Sequence, residues 1–229
     1  MSENPHSGHR DRLRKKFLAN GFDNLEVHEV LELLLYYAIP RKDTNPIAHK
    51  LLADFGSFSA VLDAPIDKLK ESGLSENCAI YLKLFPQICS MYMEDRNNNK
   101  DKIIDIDSVG ERIKHKFIGR NYEAVVLLLL DTKLKEVYCG VINKGSVSAC
   151  EVYVRKIIEL AVSYNSRYAV LAHNHPSGLA LPSNDDIITT KKVYDALNLI
   201  DVSLVDHIIV ADDDYVSLRD AGFMEEYIE

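Results

Sequence analysis

Apolar residues recur with a helical rhythm through the first part of the chain and with a mixed rhythm after it. The stretch Leu25-Glu-Val-His-Glu-Val-Leu-Glu-Leu-Leu-Leu35 carries its apolar side chains in a helical arrangement. Further short helices are predicted at 46–55, 57–63, 65–72 and 77–93, separated by Gly and Pro. The polar run Glu94-Asp-Arg-Asn-Asn-Asn-Lys-Asp-Lys102 has no apolar periodicity and reads as a linker. Beyond it strands and helices alternate. A helix is predicted at 107–119, strands at 123–131 and 134–142, and a helix at 151–164. A strand at 168–172, a helix at 184–198 and a strand at 202–210 complete the series. The alternation defines an α/β domain over 103–229, preceded by a small all-α domain over 1–97.

Composition sets bounds around this picture. With 229 residues the chain has room for one large or two small domains, each with its own core. A hydrophobic content of 47% beside 27% charged residues is that of an ordinary globular protein. The longest aliphatic run, Val125–Leu130, is far too short for a membrane span, and the Met-Ser-Glu-Asn-Pro-His start lacks a basic-then-apolar signal. A cytoplasmic location without membrane partners is the resulting expectation. Cys78, Cys89, Cys139 and Cys150 form no Cys-x-x-Cys pair and sit among apolar neighbours, so each reads as a buried small hydrophobe rather than a disulfide or zinc ligand.

The net charge of −8 argues against strong generic binding to nucleic acid, which depends on neutralising phosphates. Charge is uneven: residues 1–99 hold 12 Lys/Arg against 14 Asp/Glu, and residues 100–229 hold 15 against 21. The dense basic cluster Arg10, Arg12, Arg14, Lys15 and Lys16 reads either as a solvated helix face or as a DNA contact.

Candidate chemistry concentrates in His173-Asn-His175-Pro-Ser-Gly178 and the Ser183-Asn-Asp-Asp186 that follows. Two His residues at i and i+2 leaving a strand point the same way. The Pro-Ser-Gly turn reverses the chain, and Ser183 opens a helix one turn before Asp186. His173, His175 and Asp186 are ligand types that zinc prefers, and three of them leave a fourth position for water, as catalytic zinc requires. Ser183-x-x-Asp186 also fits a capping-box helix start, which needs no metal. The two roles are compatible in one helix start.

The spacing His173-x-His175-x7-Ser183-x2-Asp186 resembles the zinc motif of JAMM (MPN-domain) metallohydrolases. The fuller text, with Pro182 and the later Asp206-His-Ile-Ile-Val210, resembles the bacterial RadC family. So do Gly8-His-Arg-x-Arg12-Leu-Arg14 and Tyr37-Ala-Ile-Pro-Arg-Lys-Asp-Thr-Asn-Pro46, which extends the resemblance over nearly the whole chain. It implies a three-layer α/β domain of the MPN, cytidine-deaminase-like type that binds Zn2+ through His173, His175 and Asp186. It further implies Glu123, fifty residues before His173, as general base at the opening of a core strand. Ser183 would hydrogen-bond the oxyanion. Asp206 and His207 would either orient a ligand from behind or cap a sheet edge. Glu151 is the rival base, although at a helix start its charge is favoured by the dipole alone.

In the first domain, Leu69-Lys-Glu-Ser-Gly-Leu-Ser-Glu-Asn-Cys-Ala79 resembles a helix-hairpin-helix element in degraded form, with Gly73-Leu74-Ser75 replacing the usual Gly-hydrophobic-Gly. Glu71 and Glu76 beside it are unfavourable to phosphate. Three functions remain in view. The first is a zinc-dependent hydrolase of a peptide or isopeptide-type amide bond. The second is a DNA repair or recombination factor that contacts DNA through Arg10, Arg12, Arg14 and Lys15. The third is a metal-free interaction module.

Overall fold

A computed structural model describes residues 8–40, 42–97, 105, 109–145, 150–176, 178–212 and 214–225. The chain divides into two units, Met1–Ile88 and Cys89–Glu229. The first unit is helical: α1 (His9–Asn20), α2 (Val27–Ala38), α3 (Asn45–Phe55), α4 (Phe58–Asp63), α5 (Ile66–Glu71) and the start of α6 (Glu76–Asn97). Leu31 and Leu35 of α2, Leu51 of α3, Val61 of α4, Leu69 of α5 and Leu82 of α6 meet in its core. The expected linker differs from what is observed. Its first residues continue α6 as far as Asn97, and the rest lies outside the described residues.

The hairpin between α5 and α6 is built for packing. Gly73 has φ +100°, a left-handed conformation that glycine adopts without strain. Leu74 is buried, Ser75 Oγ accepts from the Cys78 N–H at 3.3 Å, and Lys50 donates to the Ser72 carbonyl at 2.7 Å. Of the hairpin N–H groups, that of Gly73 donates to the Lys70 carbonyl and that of Leu74 to the Leu69 carbonyl.

In the second unit, α7 (Val109–Lys114) runs into a 3-10 turn at His115–Phe117, ending before the predicted 119, while residues 107–108 of the predicted helix lie outside the described residues. There follow β1 (Ala124–Leu130), β2 (Glu136–Lys144), α8 (Cys150–Ser163), β3 (Tyr168–Asn174), α9 (Asn184–Asn198), β4 (Ser203–Ala211) and β5 (Asp214–Ser217). They form one mixed five-stranded sheet in the order β2-β1-β3-β4-β5. β1 is antiparallel to both β2 and β3, β3 and β4 are parallel, and β4 and β5 are antiparallel. The parallel pair needs a crossover, which α9 supplies.

Every residue of β1 is buried, because helices cover both faces of the sheet. Val125, Leu127 and Leu129 pack against Ile157 and Ala161 of α8 and Val193 and Leu197 of α9. Val126, Leu128 and Leu130 pack against Val109 and Ile113 of α7 and against Phe117. This explains why the strand is continuously aliphatic instead of alternating. Truncating one such leucine to alanine costs about 2–5 kcal/mol.

β3 extends past the predicted strand end at Ala172 through Asn174, because Val125 of β1 pairs with His173 and Ile209 of β4 flanks it on the other side. β5 was not foreseen. Cys78 is buried as expected, whereas Cys89 is exposed on α6 and Cys139 is half-buried. Among the described residues no helix is long and apolar enough to cross a membrane.

Candidate metal centre

The crossover β3–α9–β4 sets the site. A strand's carboxyl end and the amino end of the helix that returns from it lie at the same edge of the sheet, where ligands of α/β folds gather. His173 stands at the end of β3, His175 follows the strand, and Asp186 occupies the first turn of α9. Their ligating atoms all lie within 4.8 Å of one another, and the three residues form a group able to hold a metal ion. His173 Nε2 is 3.0 Å from His175 Nε2 and 3.1 Å from Asp186 Oδ1. His175 Nε2 is 3.6 Å from Asp186 Oδ2. Ligand nitrogens on a tetrahedral zinc at ordinary bond lengths stand about 3.3 Å apart, so the donor set fits such an ion.

Each candidate ligand is held from behind. His175 Nδ1 donates to the Leu179 carbonyl at 3.1 Å, which leaves Nε2 as the lone-pair nitrogen facing the centre. Asp186 is engaged by Ser183, whose N–H donates to Oδ2 at 2.8 Å and whose hydroxyl donates to the same oxygen at 2.6 Å. The Ser183 hydroxyl oxygen in turn accepts from the Asp186 N–H at 3.2 Å, completing a capping box. The capping and ligating roles thus fall on one carboxylate, with Oδ2 at the cap and Oδ1 at the centre.

His173 Nδ1 lies 2.9 Å from Nε2 of His207 on β4, and His207 Nδ1 lies 2.6 Å from Thr190 Oγ1 on α9. Burial acts to raise the Asp186 carboxyl, but hydrogen bonds from His173 and Ser183 outweigh it and hold the group well below the usual carboxylate range. Its place in the first turn of α9 favours the anion further. Burial pushes His207 well below its ordinary value, and the neighbouring His173 adds to that effect.

The remaining candidates divide. Glu123 immediately precedes β1, two residues before Val125, which pairs with His173. Strand alternation, continued one residue beyond β1, would turn it to the sheet face that carries His173; the residue is half-buried. Its backbone is fixed on three sides. The Glu123 carbonyl accepts from Gly145 N–H at 2.7 Å, and Asn174 reaches both neighbours. Asn174 Oδ1 accepts from Ala124 N–H at 2.8 Å, and its Nδ2 donates to the Tyr122 carbonyl at 3.1 Å. Glu151 lies in α8 with its side chain outside the described residues; Ser177 and Arg41 of the motifs lie outside the described residues altogether.

Ser183 does not have a spare proton in this arrangement, because Asp186 Oδ2 takes it. Asp206 is turned to other tasks. Its carboxylate accepts from Ser217 Oγ at 2.7 Å and from the Arg219 N–H at 3.2 Å, tying β4 to the end of β5 and the residues after it, while His207 alone of that pair reaches a candidate ligand.

Of the basic cluster, Arg10 is structural. It donates to the carbonyls of Ile39, at 2.9 Å, and Lys42, and lies over the Tyr36 ring at 4.6 Å. Arg12, Arg14 and Lys15 are exposed, with Arg14 3.5 Å from Asp11. Asn174 and Thr190 are the residues that the sequence reading missed. Both had a signal: one sits between the two histidines, and the other is four residues after Asp186 on the same helix face.

A mixed α/β sheet with a His-His-Asp group at its β3–α9 edge defines a JAB-type domain with a candidate metal site. The RadC-like JAB domain family model matches residues 103–223. The chain is also 34% identical to the UPF0758 protein FN0909 of Fusobacterium nucleatum subsp. nucleatum, over 98% of this chain and 100% of that relative. The chain belongs to the RadC family.

Proposed function

We propose that this chain is a zinc-dependent, cytoplasmic hydrolase of a peptide or isopeptide-type amide bond. The observation that carries this reading is the convergence of His173, His175 and Asp186, each oriented by its own hydrogen bond, at one edge of a rigid sheet. His173, His175 and Asp186 would hold the zinc, which would supply Lewis acidity and an activated water when bound.

The chain's own residues supply the rest. Glu123 takes the proton from the attacking water and returns it to the leaving amine, a role suited to a carboxylate on a fixed strand opening. Asn174, bonded to both neighbours of Glu123, sets where that carboxylate stands. Ser183 positions Asp186, and an oxyanion contact from its hydroxyl requires that proton to leave Asp186 Oδ2. Leu179 and Leu181, exposed on the loop that carries the His175 partner, offer apolar surface to a peptide side chain.

DNA association is the weaker alternative. It rests on Arg12, Arg14 and Lys15, since Arg10 is engaged within the helical unit. The test of the hydrolase is turnover of a mixed fluorogenic peptide set by zinc-loaded wild type and Glu123→Gln. Equal zinc content with cleavage lost in the variant supports the assignment. Equal cleavage by both removes Glu123 from the chemistry.

A further inference from the structure

We propose that Thr190 and His207 are positioning residues for the metal centre, forming a buried relay that decides which nitrogen of His173 faces the cation. The inference rests on the reading of His173, His175 and Asp186 as ligands, and it follows from counting protons along one chain of contacts. Thr190 Oγ1 lies 2.6 Å from the Asp186 carbonyl oxygen, which can only accept, so the single hydroxyl proton belongs to that bond. The same hydroxyl oxygen lies 2.6 Å from His207 Nδ1, and with its proton already placed it must accept there. His207 therefore carries its proton on Nδ1.

The His207 ring is fully buried, and its two hydrogen bonds go to a hydroxyl and an imidazole, with no carboxylate to hold a second proton. Its Nε2 is then an acceptor and takes the Nδ1–H of His173 across 2.9 Å. His173 therefore carries a proton on Nδ1 and turns Nε2, 3.1 Å from Asp186 Oδ1, toward the centre as the nitrogen a cation would take. The opposite assignment fails at its first step, because a hydroxyl donating to His207 would leave Thr190 and Asp186 oxygens 2.6 Å apart with no proton between them.

The relay closes on itself. Asp186 presents its side chain to the centre and its carbonyl to Thr190 one helical turn later, so one residue anchors both ends of the path to His173. His175 reaches the same state independently through Leu179. Nε2 of both imidazoles, 3.0 Å apart, thus faces the Asp186 carboxylate side of the centre with its Nδ1 partner already placed. Partners of this kind behind a metal ligand are worth about 10- to 100-fold in metal affinity.

The test combines ring-nitrogen NMR of the metal-free protein with zinc affinity measured by competition against a chromophoric chelator. Wild type, Thr190→Ser and Thr190→Val are compared. The relay requires His173 to be protonated at Nδ1 in wild type and in Thr190→Ser, with similar zinc affinity in both. Thr190→Val should bind zinc about 10- to 100-fold more weakly. Wild type that binds zinc but carries the His173 proton on Nε2 when metal-free overturns the relay, as does Thr190→Val with unchanged affinity. If Thr190→Val does not fold, the wild-type tautomer and the Thr190→Ser affinity still decide the matter. Wild type that binds no zinc overturns instead the ligand assignment beneath it.

Discussion

Ser183 and Asp186 grip each other through one carboxylate oxygen. Both the N–H and the hydroxyl of Ser183 donate to Asp186 Oδ2, at 2.8 and 2.6 Å, while Oδ1 faces His173 at 3.1 Å. A helix cap is thereby made into a ligand holder. Ser183→Ala removes the hydroxyl from both tasks and should lower unfolding free energy by about 0.5–2 kcal/mol. Zinc affinity should fall in parallel, by about 10- to 100-fold. Denaturant unfolding of the metal-free protein and a zinc titration separate the two effects. A variant that loses stability but binds zinc as tightly as wild type would mean that Asp186 needs no help from the cap.

Asn174, between the two candidate ligands, bridges β3 to the entry of β1 through Tyr122 and Ala124. Asn174→Ala leaves a buried N–H and a carbonyl without their partner, at a cost of about 1–3 kcal/mol. Amide exchange should accelerate at Ala124 while Leu128, deep in the same strand, stays protected. Uniform acceleration along β1 would show a global loss of stability instead of a local clamp.

Burial raises Asp206 above the ordinary carboxylate range, against hydrogen bonds from Ser217, Arg219 and His207 that act to lower it. The folded protein therefore keeps a proton that the unfolded chain has released, and stability falls as pH rises from the ordinary aspartate value, about 4, through the raised one. Asp206→Asn removes that dependence. Urea unfolding between pH 4 and 8 should show the variant gaining on wild type as pH rises. A constant gap between the two would contradict the burial argument.

Arg10 and Lys15 share a basic cluster in the sequence but not in their tasks. Arg10→Ala gives up its carbonyl bonds to Ile39 and Lys42 and its stacking on Tyr36, and should destabilise the protein by about 1–3 kcal/mol. Lys15→Ala, at an exposed position of α1, should stay within about 0.5 kcal/mol of wild type. Thermal unfolding of the two variants checks the distinction, and equal midpoints would remove the structural role given to Arg10.

The sequence carried the site further than it carried the frame around it. Aliphatic runs such as Val125–Leu130 announce a doubly covered strand, and the His-x-His and Ser-x-x-Asp spacings bring the candidate ligands together by local geometry alone. What remained hidden depends on partners distant in the chain. His173 belongs to the ladder only because Val125 and Ile209 flank it, and no local propensity marks His-Asn as strand. β5, Asp214–Ser217, is short and half polar, and exists because it pairs with β4. Asp206 and His207 look equivalent in sequence, yet adjacent strand residues face opposite ways, so only His207 meets the imidazoles. Arg10 reads from sequence as a solvated or DNA-facing residue because Ile39 and Lys42, whose carbonyls receive it, are remote in the chain.

The most direct test of the account is the zinc content of protein purified without chelator, wild type against the His175→Ala, Asp186→Ala double variant. One zinc per wild-type chain, absent from the folded double variant, is the predicted result. A wild type that stays metal-free even after zinc is supplied, or a double variant that still holds zinc, would contradict the assignment of the centre.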